Sequence, residues 1–561
     1  MSLLDDFVPN RRIAYFSMEI ALRPEIHTYA GGLGLLAGDV ARACADLELP
    51  IVFVTLISRN GYLCQEIDDV GRQVDRADPW AIEPWLSPLG AKIALRIEWR
   101  EVWVRPWLYL VEGPAGYEVP VILLDTDLEE NAPEDRRITH RLYGGDQADR
   151  LRQEIVLGIG GLRILRALGF GIHTYHLNEG HAALLGLDLL RRYTRPADLT
   201  LPDECSDYLR DLCTACIFDL MRVRELCVFT THTPVEAGQD RFPYPLVEQM
   251  LGDFMPVDQL KLLGGAENLN MTRVALNLSG YVNGVAERHA ETSRRMFRGY
   301  RFHAITNGVH ASTWTFASFA RLYQAHIPHW QHEPELLVRA DRLPDEQVWR
   351  AHMEAKRALL SAIQELQGVT LDPDLPLIVW ARRMTGYKRP ELLFSDPERL
   401  AAIARRQPFQ VVFAGKAHPQ DASGKDAIAS IHRPTAEFEG VLKVVFLPNY
   451  EMALARTLVA GADVWLNTPL PPMEASGTSG MKAALNGVLN LGVPDGWWAE
   501  AAIDGETGWA IGDGMPEHAD RDAGILYDKL EHEVLPLYHT DRTKWIWMMK
   551  QSISKIGYYF N

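Results

Sequence analysis

No apolar run in this chain approaches the roughly 20 residues that a membrane-spanning helix requires, and the opening MSLLDDFVPNRR has no stretch of signal-peptide length. The sequence therefore reads as cytoplasmic, with no membrane partner. Cysteine is scarce: six in 561 residues do not make a disulfide scaffold, and Cys44, Cys64, Cys205 and Cys227 lack metal-type spacing. Cys213 and Cys216 form a lone C-x-x-C in the apolar, helical DLCTACIFDLM; with no second pair, buried thiols are favoured over a redox or metal site. Long Lys/Arg blocks are missing and the net charge is −17, so the attraction that draws proteins to nucleic acid is absent. An anionic substrate must be held by a local cluster. Internal repeats and low-complexity segments are missing as well.

What is present is the composition of a folded enzyme, 47% hydrophobic and 23% charged. Single cores stop growing near ~250–300 residues, so two or three domains are expected. IAYFSME reads as a strand, the turn Gly31 to Gly34 opens a helix over LLAGDVARACADL, and IVFVTLIS is the next strand. Further on, LRQEIVLGIGGLRILRALG reads as one amphipathic helix, Thr174 to Leu177 as strand and GHAALLGLDLLRR as helix. This alternation predicts a parallel α/β layer. A charged helical stretch from about Ala340, ended by the prolines of LDPDLP, marks a boundary. Residues 1–342 are expected to form a first domain and 343–521 a second, with strands LIVWARR, FQVVFAG, LKVVFLP and ADVWLN. A helical tail, 522–561, is expected to pack back on the first domain. The fold class is α/β, two Rossmann-like doubly wound domains facing across a cleft at the carboxyl ends of their strands.

Four constellations carry chemistry. Glu474-Ala475-Ser476-Gly477-Thr478-Ser479-Gly480-Met481-Lys482 comes after the strand ADVWLN. Ser, Gly and Thr at a helix start leave N–H groups for an anion, and Lys482, one turn in, could form a Schiff base in a dry site; by spacing alone, an ordinary N-cap with a solvated lysine fits equally. Arg382-Arg383-Met384-Thr385-Gly386-Tyr387-Lys388-Arg389 comes directly after LIVWA. Four cations so close together at a strand end favour a phosphate clamp over a solvated basic loop, with Arg383 gripping bidentately and Lys388 as a point charge. Gly31-Gly32-Leu33-Gly34 is a weak third signal. The fourth group is rich in histidine: His232 in TTHTP, and Asn178-Glu179-Gly180-His181 preceded by His173 and His176. None of these has metal-site spacing, and hydrogen bonding to a sugar suits them better. No metal is expected. Walker loop, nucleophile elbow and paired helical carboxylates are lacking, which disfavours kinase and hydrolase chemistry.

The motifs AYFSMEIAL, YAGGLGLLAGD, RLYGGDQADRLRQEIVLGIGG, YHLNEGHAA, FTTHTPVEAG, ITNGVH, ARRMTGYKRP, VVFAGKAHP and EASGTSGMKAALNGVLNLGVPDGWW run collinearly from about residue 13 to 512. In these the chain resembles the glycogen/starch/maltodextrin phosphorylase family, particularly its short bacterial and archaeal branch. The resemblance implies a GT-B type fold and a glycosyltransferase. Its partners would be an α-1,4-glucan or maltodextrin, inorganic phosphate and glucose 1-phosphate. It further implies pyridoxal 5'-phosphate on Lys482, with Thr478, Gly32, Arg382 and Tyr450 near the cofactor. Arg383 and Lys388 match binders of substrate phosphate. Glu474, Ser476, Gly477, Asn307, Tyr387 and His232 match a glucosyl pocket, His181 stands beside it, and Asp146 and Gln147 match a gating loop. The cofactor phosphate would act as acid/base partner of inorganic phosphate, with retention at the anomeric carbon. A homodimer is a family expectation only, and nucleotide or phosphorylation control of the animal type is not expected. Arg382 stands where the family often has Lys, while Glu236 and Gln239 replace Pro and His of close relatives and bear on acceptor choice. The competing readings are a nucleotide-sugar-dependent glucan glycosyltransferase, which would not need Lys482, and a catalytically silent glucan-binding homologue.

Overall fold

Every residue of the strand Ile51–Leu56 is buried, and its side chains alternate between two cores: Val52 and Val54 join one apolar cluster, Ile51 and Phe53 the other. A strand covered on both faces belongs to a parallel sheet layered by helices. The structure is a computed structural model and describes residues 4, 6–195, 206–235, 238–432, 438 and 440–561. The chain forms two compact units. One comprises Met1–Leu63, Ala77–Val285 and Ala290–Ile305; the other comprises Cys64–Arg76, Ala286–His289 and Thr306–Asn561.

The first unit is built on strands β1 (Ile13–Phe16), β2 (Ile51–Leu56), β3 (Ser87–Pro88), β4 (Ile93–Ile97), β5 (Arg100–Glu112), β6 (Glu118–Asp125), β7 (Thr174–Asn178), β8 (Cys227–Thr230), β9 (Tyr281–Gly284) and β10 (His303–Ala304). Their order is β10-β9-β8-β7-β1-β2-β6-β5-β3, with β4 on β5. All neighbours from β10 to β6 pair in parallel, and β5 turns antiparallel at the edge. Helix α1 (Gly32–Asp46) crosses from β1 to β2. The expected helix over 151–169 starts earlier, as α2 (Gln147–Ile155), passes through a π-helical turn at Val156–Gly160 and resumes over Gly161–Ala167. Its glycines let it lie close to the sheet: a Cβ on Gly161 would sit 2.7 Å from Val54 Cγ1 and 2.8 Å from Phe16 Cε1. The first strand ends at Phe16 and not at Glu19, because Glu19 turns aside to bind the glycine turn. Cys213 and Cys216 are both buried.

In the second unit, β11 (Leu377–Ala381), β12 (Gln410–Ala414), β13 (Lys443–Leu447), β14 (Val464–Asn467), β15 (Leu489–Gly492) and β16 (Gly508–Ala510) lie in the order β13-β12-β11-β14-β15-β16, all parallel. Counted from β11, this is the 3-2-1-4-5-6 order of a doubly wound dinucleotide-type sheet. The change of unit falls at 305/306, earlier than the 342/343 read from sequence. Helices α3 (Ala311–Trp314) and α4 (Ala317–His326) go with the second unit, because Asn486 bonds Phe316 N (2.7 Å) and Trp314 O (2.9 Å) and Tyr323 OH donates to Leu485 O (2.6 Å). The tail, expected to pack on the first domain, is part of the second unit. There Tyr527 OH donates to Leu393 O (3.0 Å) and Lys550 pairs with Asp345 (2.6 Å).

One buried ion cluster fastens strand starts to helix and tail. Asp463, just before β14, takes His352 Nε2 (2.8 Å) and Lys356 Nζ (2.7 Å) from α5 (Asp345–Gln367) and accepts Leu377 N (2.7 Å). Lys356 also donates to Leu375 O (2.7 Å) and Tyr538 OH (3.1 Å). Burial would raise the Asp463 carboxyl, but Lys356 and His352 bring it down to about 2. Because the ionised form is favoured, its contribution is complete above the ordinary aspartate value near ~4 and fades as pH falls towards about 2. Asp463→Ala, which strands a buried cation, should lower the unfolding free energy by about 3–5 kcal/mol in denaturant titrations at neutral pH. Its gap from wild type should narrow below pH ~4.

Candidate active site

Open α/β sheets bind ligands beyond the strand carboxyl ends, where the strand order reverses. In the second unit that point lies between β11 and β14, and the two lysine-bearing constellations emerge there. Lys388 Nζ and Arg382 Nη2 (2.9 Å) both bond the same oxygen, Glu474 Oε2. Burial would push the Glu474 carboxyl up, but Arg382 and Lys388 outweigh it and hold the group below the usual glutamate range. Lys388 is itself buried and rests 4.6 Å from the Tyr387 ring centroid. Two nitrogens of Arg382, Nε and Nη1, are buried with no hydrogen-bond partner among the described residues. Such donors are costly unless an acceptor joins them, and an anion supplies one. Tyr450 is half-buried; burial raises its phenol, and the nearby Arg382 charge opposes the rise.

The other two cations of the cluster behave differently. Arg383 is exposed and has no side-chain hydrogen bond or ion pair among the described residues. Arg389 is structural: in a left-handed conformation (φ 47°), it donates to Thr468 O (3.0 Å) and Pro469 O (2.7 Å) and pairs with Asp522 (2.5 Å).

Lys482 lies in α6 (Ser479–Ala484), 3% exposed, with Nζ 3.9 Å from the Trp314 ring centroid. A buried amine against an indole face is not the solvated surface lysine that spacing alone allows. Thr478 takes the N-cap position without a side-chain cap bond. Asp495, which has no signal in the sequence, supports the segment before it, accepting Glu474 N (2.9 Å) and Gly496 N (3.0 Å). Burial, then Glu474, raises its carboxyl to about 6. Gly477 adopts φ 79°, and Ser476 O accepts Trp497 N (3.0 Å). Asn307 is half-buried in a loop fixed on either side by Thr306 Oγ1 on Glu500 (2.8 Å) and Val309 N on Phe560 O (2.9 Å).

The remaining predicted residues belong to the first unit, where the strand order reverses between β1 and β7. Glu19 Oε2 accepts Ala30 N (2.6 Å) and Gly31 N (3.1 Å), and Oε1 accepts Tyr143 OH (2.8 Å). Gly34 is required there, since a Cβ would lie 2.6 Å from Glu19 Oε2. Nothing stands within 4 Å of a Cβ on Gly31 or Gly32, so backbone is open to a ligand on that side. Glu179, at the left-handed φ of 70°, accepts His232 N (2.7 Å), Thr233 Oγ1 (3.0 Å) and Gly180 N (3.0 Å). His232 Nε2 meets Asn178 Oδ1 (2.6 Å), which orients the ring. His181 Nε2 is 3.4 Å from Asp240, and burial, then Arg150, pushes its imidazole down to about 3. Arg150, Glu154 and Asp240 complete this buried group; burial and Asp240 raise the Glu154 carboxyl well above its usual range. Asp146 and Gln147, expected in a gate, start α2: Asp146 caps it through Ala148 N (2.8 Å) and Asp149 N (3.0 Å), and Gln147 is exposed. Gln239 Oε1 accepts Asn270 Nδ2 (2.8 Å), and Glu236 lies outside the described residues.

Residues 225–509 match the family described as carbohydrate phosphorylase. A maltodextrin phosphorylase of Thermococcus litoralis is 38% identical, over 97% of this chain and 68% of that protein. Glycogen phosphorylases of Aquifex aeolicus and Mycobacterium tuberculosis are each 36% identical over 97% of this chain, covering 83% and 68% of their own lengths. If Arg382 completes an anion site, Arg382→Met should weaken inorganic phosphate binding about tenfold or more, since a hydrogen bond to a charged group contributes roughly 1.5–3 kcal/mol. Isothermal titration of the folded variant reads this directly; wild-type affinity would detach the guanidinium from the anion.

Proposed function

The chain belongs to the carbohydrate phosphorylase family, and from that premise we infer an α-1,4-glucan phosphorylase, a glycosyltransferase that reversibly moves a terminal glucosyl unit of a glucan or maltodextrin to inorganic phosphate. The product is glucose 1-phosphate with retained configuration. A cytoplasmic location and a homodimer complete the reading.

We further propose pyridoxal 5'-phosphate as cofactor and Lys482 as its carrier. The observation behind this is the dry amine of Lys482 at the same strand-order reversal where Arg382 keeps two buried N–H groups without a partner among the described residues. The donor set fits the group: a lysine for the aldehyde, and guanidinium N–H groups and Thr478 for the phosphoryl end. When bound, the cofactor supplies a phosphate monoester that exchanges protons near its second pKa of about 6.

The chain's own part in the reaction is electrostatic and positional. Lys388 and Arg382, already drawn together by Glu474, hold negative charge where phosphate must lie. Arg383, exposed and uncommitted, can close on the substrate phosphate with both ends of its guanidinium. Glu474, kept ionised by its two cations, accepts hydrogen bonds from sugar hydroxyls, with Ser476, Gly477, Asn307 and Tyr387 as further binders. His232, oriented by Asn178 and Glu179, serves the sugar as well. The substrate phosphate gives its proton to the glycosidic oxygen, the bond from that oxygen to the anomeric carbon breaks to release the shortened glucan as an alcohol, and the phosphate oxygen then adds to the anomeric carbon from the same face. Asp146, Gln147 and His181 would govern glucan entry, and Gly32 and Tyr450 would line the cofactor.

Lys482→Ala should abolish the cofactor's absorbance and the release of glucose 1-phosphate from maltodextrin together. Phosphorolysis at wild-type rate in that variant refutes the lysine, and turnover of a nucleotide sugar without the cofactor would point to the glycosyltransferase alternative.

A further inference from the structure

The loops beside the cation cluster are gripped by two glutamines from far back in the sequence. Cys64–Ile67 and Gln73–Arg76 form an antiparallel ribbon, Gln65 facing Asp75 and Gln73 facing Ile67, and this ribbon is part of the second unit. Asp68 shapes its turn by accepting Val70 N (3.0 Å) and Arg72 N (2.8 Å), and a Cβ on Gly71 (φ +80°) would lie 2.7 Å from His432 Cβ. Lys425 adds an ion pair to Asp75 (2.7 Å).

Gln65 and Gln73 are 2% and 6% exposed. Amides that deep are costly unless their groups are bonded, and both are. Gln65 Nε2 donates to Gly415 O (2.9 Å) and Gln73 Oε1 (2.8 Å), while its Oε1 accepts Asn449 N (2.8 Å). Asn449 Oδ1 returns the contact by accepting Gln65 N (3.2 Å). Gln73 Nε2 donates to Ala417 O (2.9 Å), and its Oε1 accepts Ala417 N (2.9 Å).

The gripped segments come after β12 and β13 and reach the cation loop. Gly415 presses on Arg382 so closely that a Cβ would lie 2.0 Å from Arg382 O. Met384 N donates to Lys416 O (3.0 Å), and Met384 and Ala417 form an isolated parallel bridge. Asn449, in a left-handed conformation (φ 54°), aims the next residue, Tyr450, whose phenol feels the Arg382 charge. The glutamines thus brace both neighbours of Arg382 without touching any residue assigned to phosphate or glucan.

We propose that Gln65 and Gln73 are positioning residues that keep Tyr450 and the Arg382–Met384 segment set for cofactor and phosphate, an inference that rests on the cofactor reading above. Asn449 N and Ala417 N each bond one of the two glutamines, so amide hydrogen exchange of the full-length apo chain resolves them separately. In Gln65→Leu the Asn449 amide should lose roughly tenfold in protection while Ala417 keeps its own; in Gln73→Leu the pattern reverses. Titration with pyridoxal 5'-phosphate, followed by absorbance, should show affinity about tenfold weaker in Gln65→Leu, equivalent to ~1.4 kcal/mol. Turnover should fall while the KM for maltodextrin stays within about twofold. Gln65→Met, of similar length, replaces the leucine variant if that one does not fold. Uniform loss of protection across the chain, unchanged protection at both amides, or the expected amide pattern with wild-type cofactor affinity would each overturn the positioning role. If wild type itself binds no pyridoxal 5'-phosphate, the cofactor reading fails, and the amide pattern with phosphate affinity then judges the glutamines.

Discussion

A single carboxylate oxygen, Glu474 Oε2, is where the second unit gathers its charge. Two largely buried cations converge on it, and neither would be stable so close to the other without it. The carboxylate lowers their mutual repulsion but does not exhaust their donors, since Arg382 retains two N–H groups with no partner among the described residues. The cluster therefore keeps one net positive charge and spare donors. The reversal of strand order between β11 and β14 makes this possible, because it parts the helices on either side and opens the strand ends for the two loops to meet.

Around that centre, support comes from polar groups committed to backbone and to one another. Asp495 holds the backbone of Glu474, Arg389 fastens the cation loop to Asp522 of the tail, and the Asp463 cluster ties the opposite ends of β11 and β14 to α5. In the first unit Glu19 has a similar office, joining the glycine turn to Tyr143. Each is a charged or polar group wholly or largely out of solvent and bonded to partners, the condition under which such groups specify geometry instead of merely costing stability.

Much of this is legible in the sequence because it depends on local pattern. The strands and their parallel arrangement emerge from short apolar runs between helices, and the cation and Ser/Gly/Thr segments stand out because each is contiguous. The resemblance supplies roles that spacing cannot. The features that escape notice depend on distant pairing. Trp314 beneath Lys482, Asp495 behind Glu474, and Gln65 and Gln73 against Asn449 and Ala417 carry no motif. The change of unit at 305/306 is hidden because nothing in the residues of α3 and α4 assigns them to one sheet or the other; only Asn486 and Tyr323 reveal their allegiance. Arg389 illustrates the reverse error. Proximity in sequence groups it with the clamp, but its guanidinium is committed to backbone carbonyls and Asp522.

The ribbon at Cys64–Arg76 has a consequence for biosynthesis. It leaves the ribosome long before Gly415, Ala417 and Asn449 exist, so its glutamines cannot reach their buried partners until the chain has grown past residue 449. The nascent first unit must therefore carry this hairpin undocked for most of translation, and a C-terminal half expressed by itself would have bare loops beside its cation cluster. Gene fission at 305/306 would cut the chain between two folded bodies and still sever the second from a part of itself.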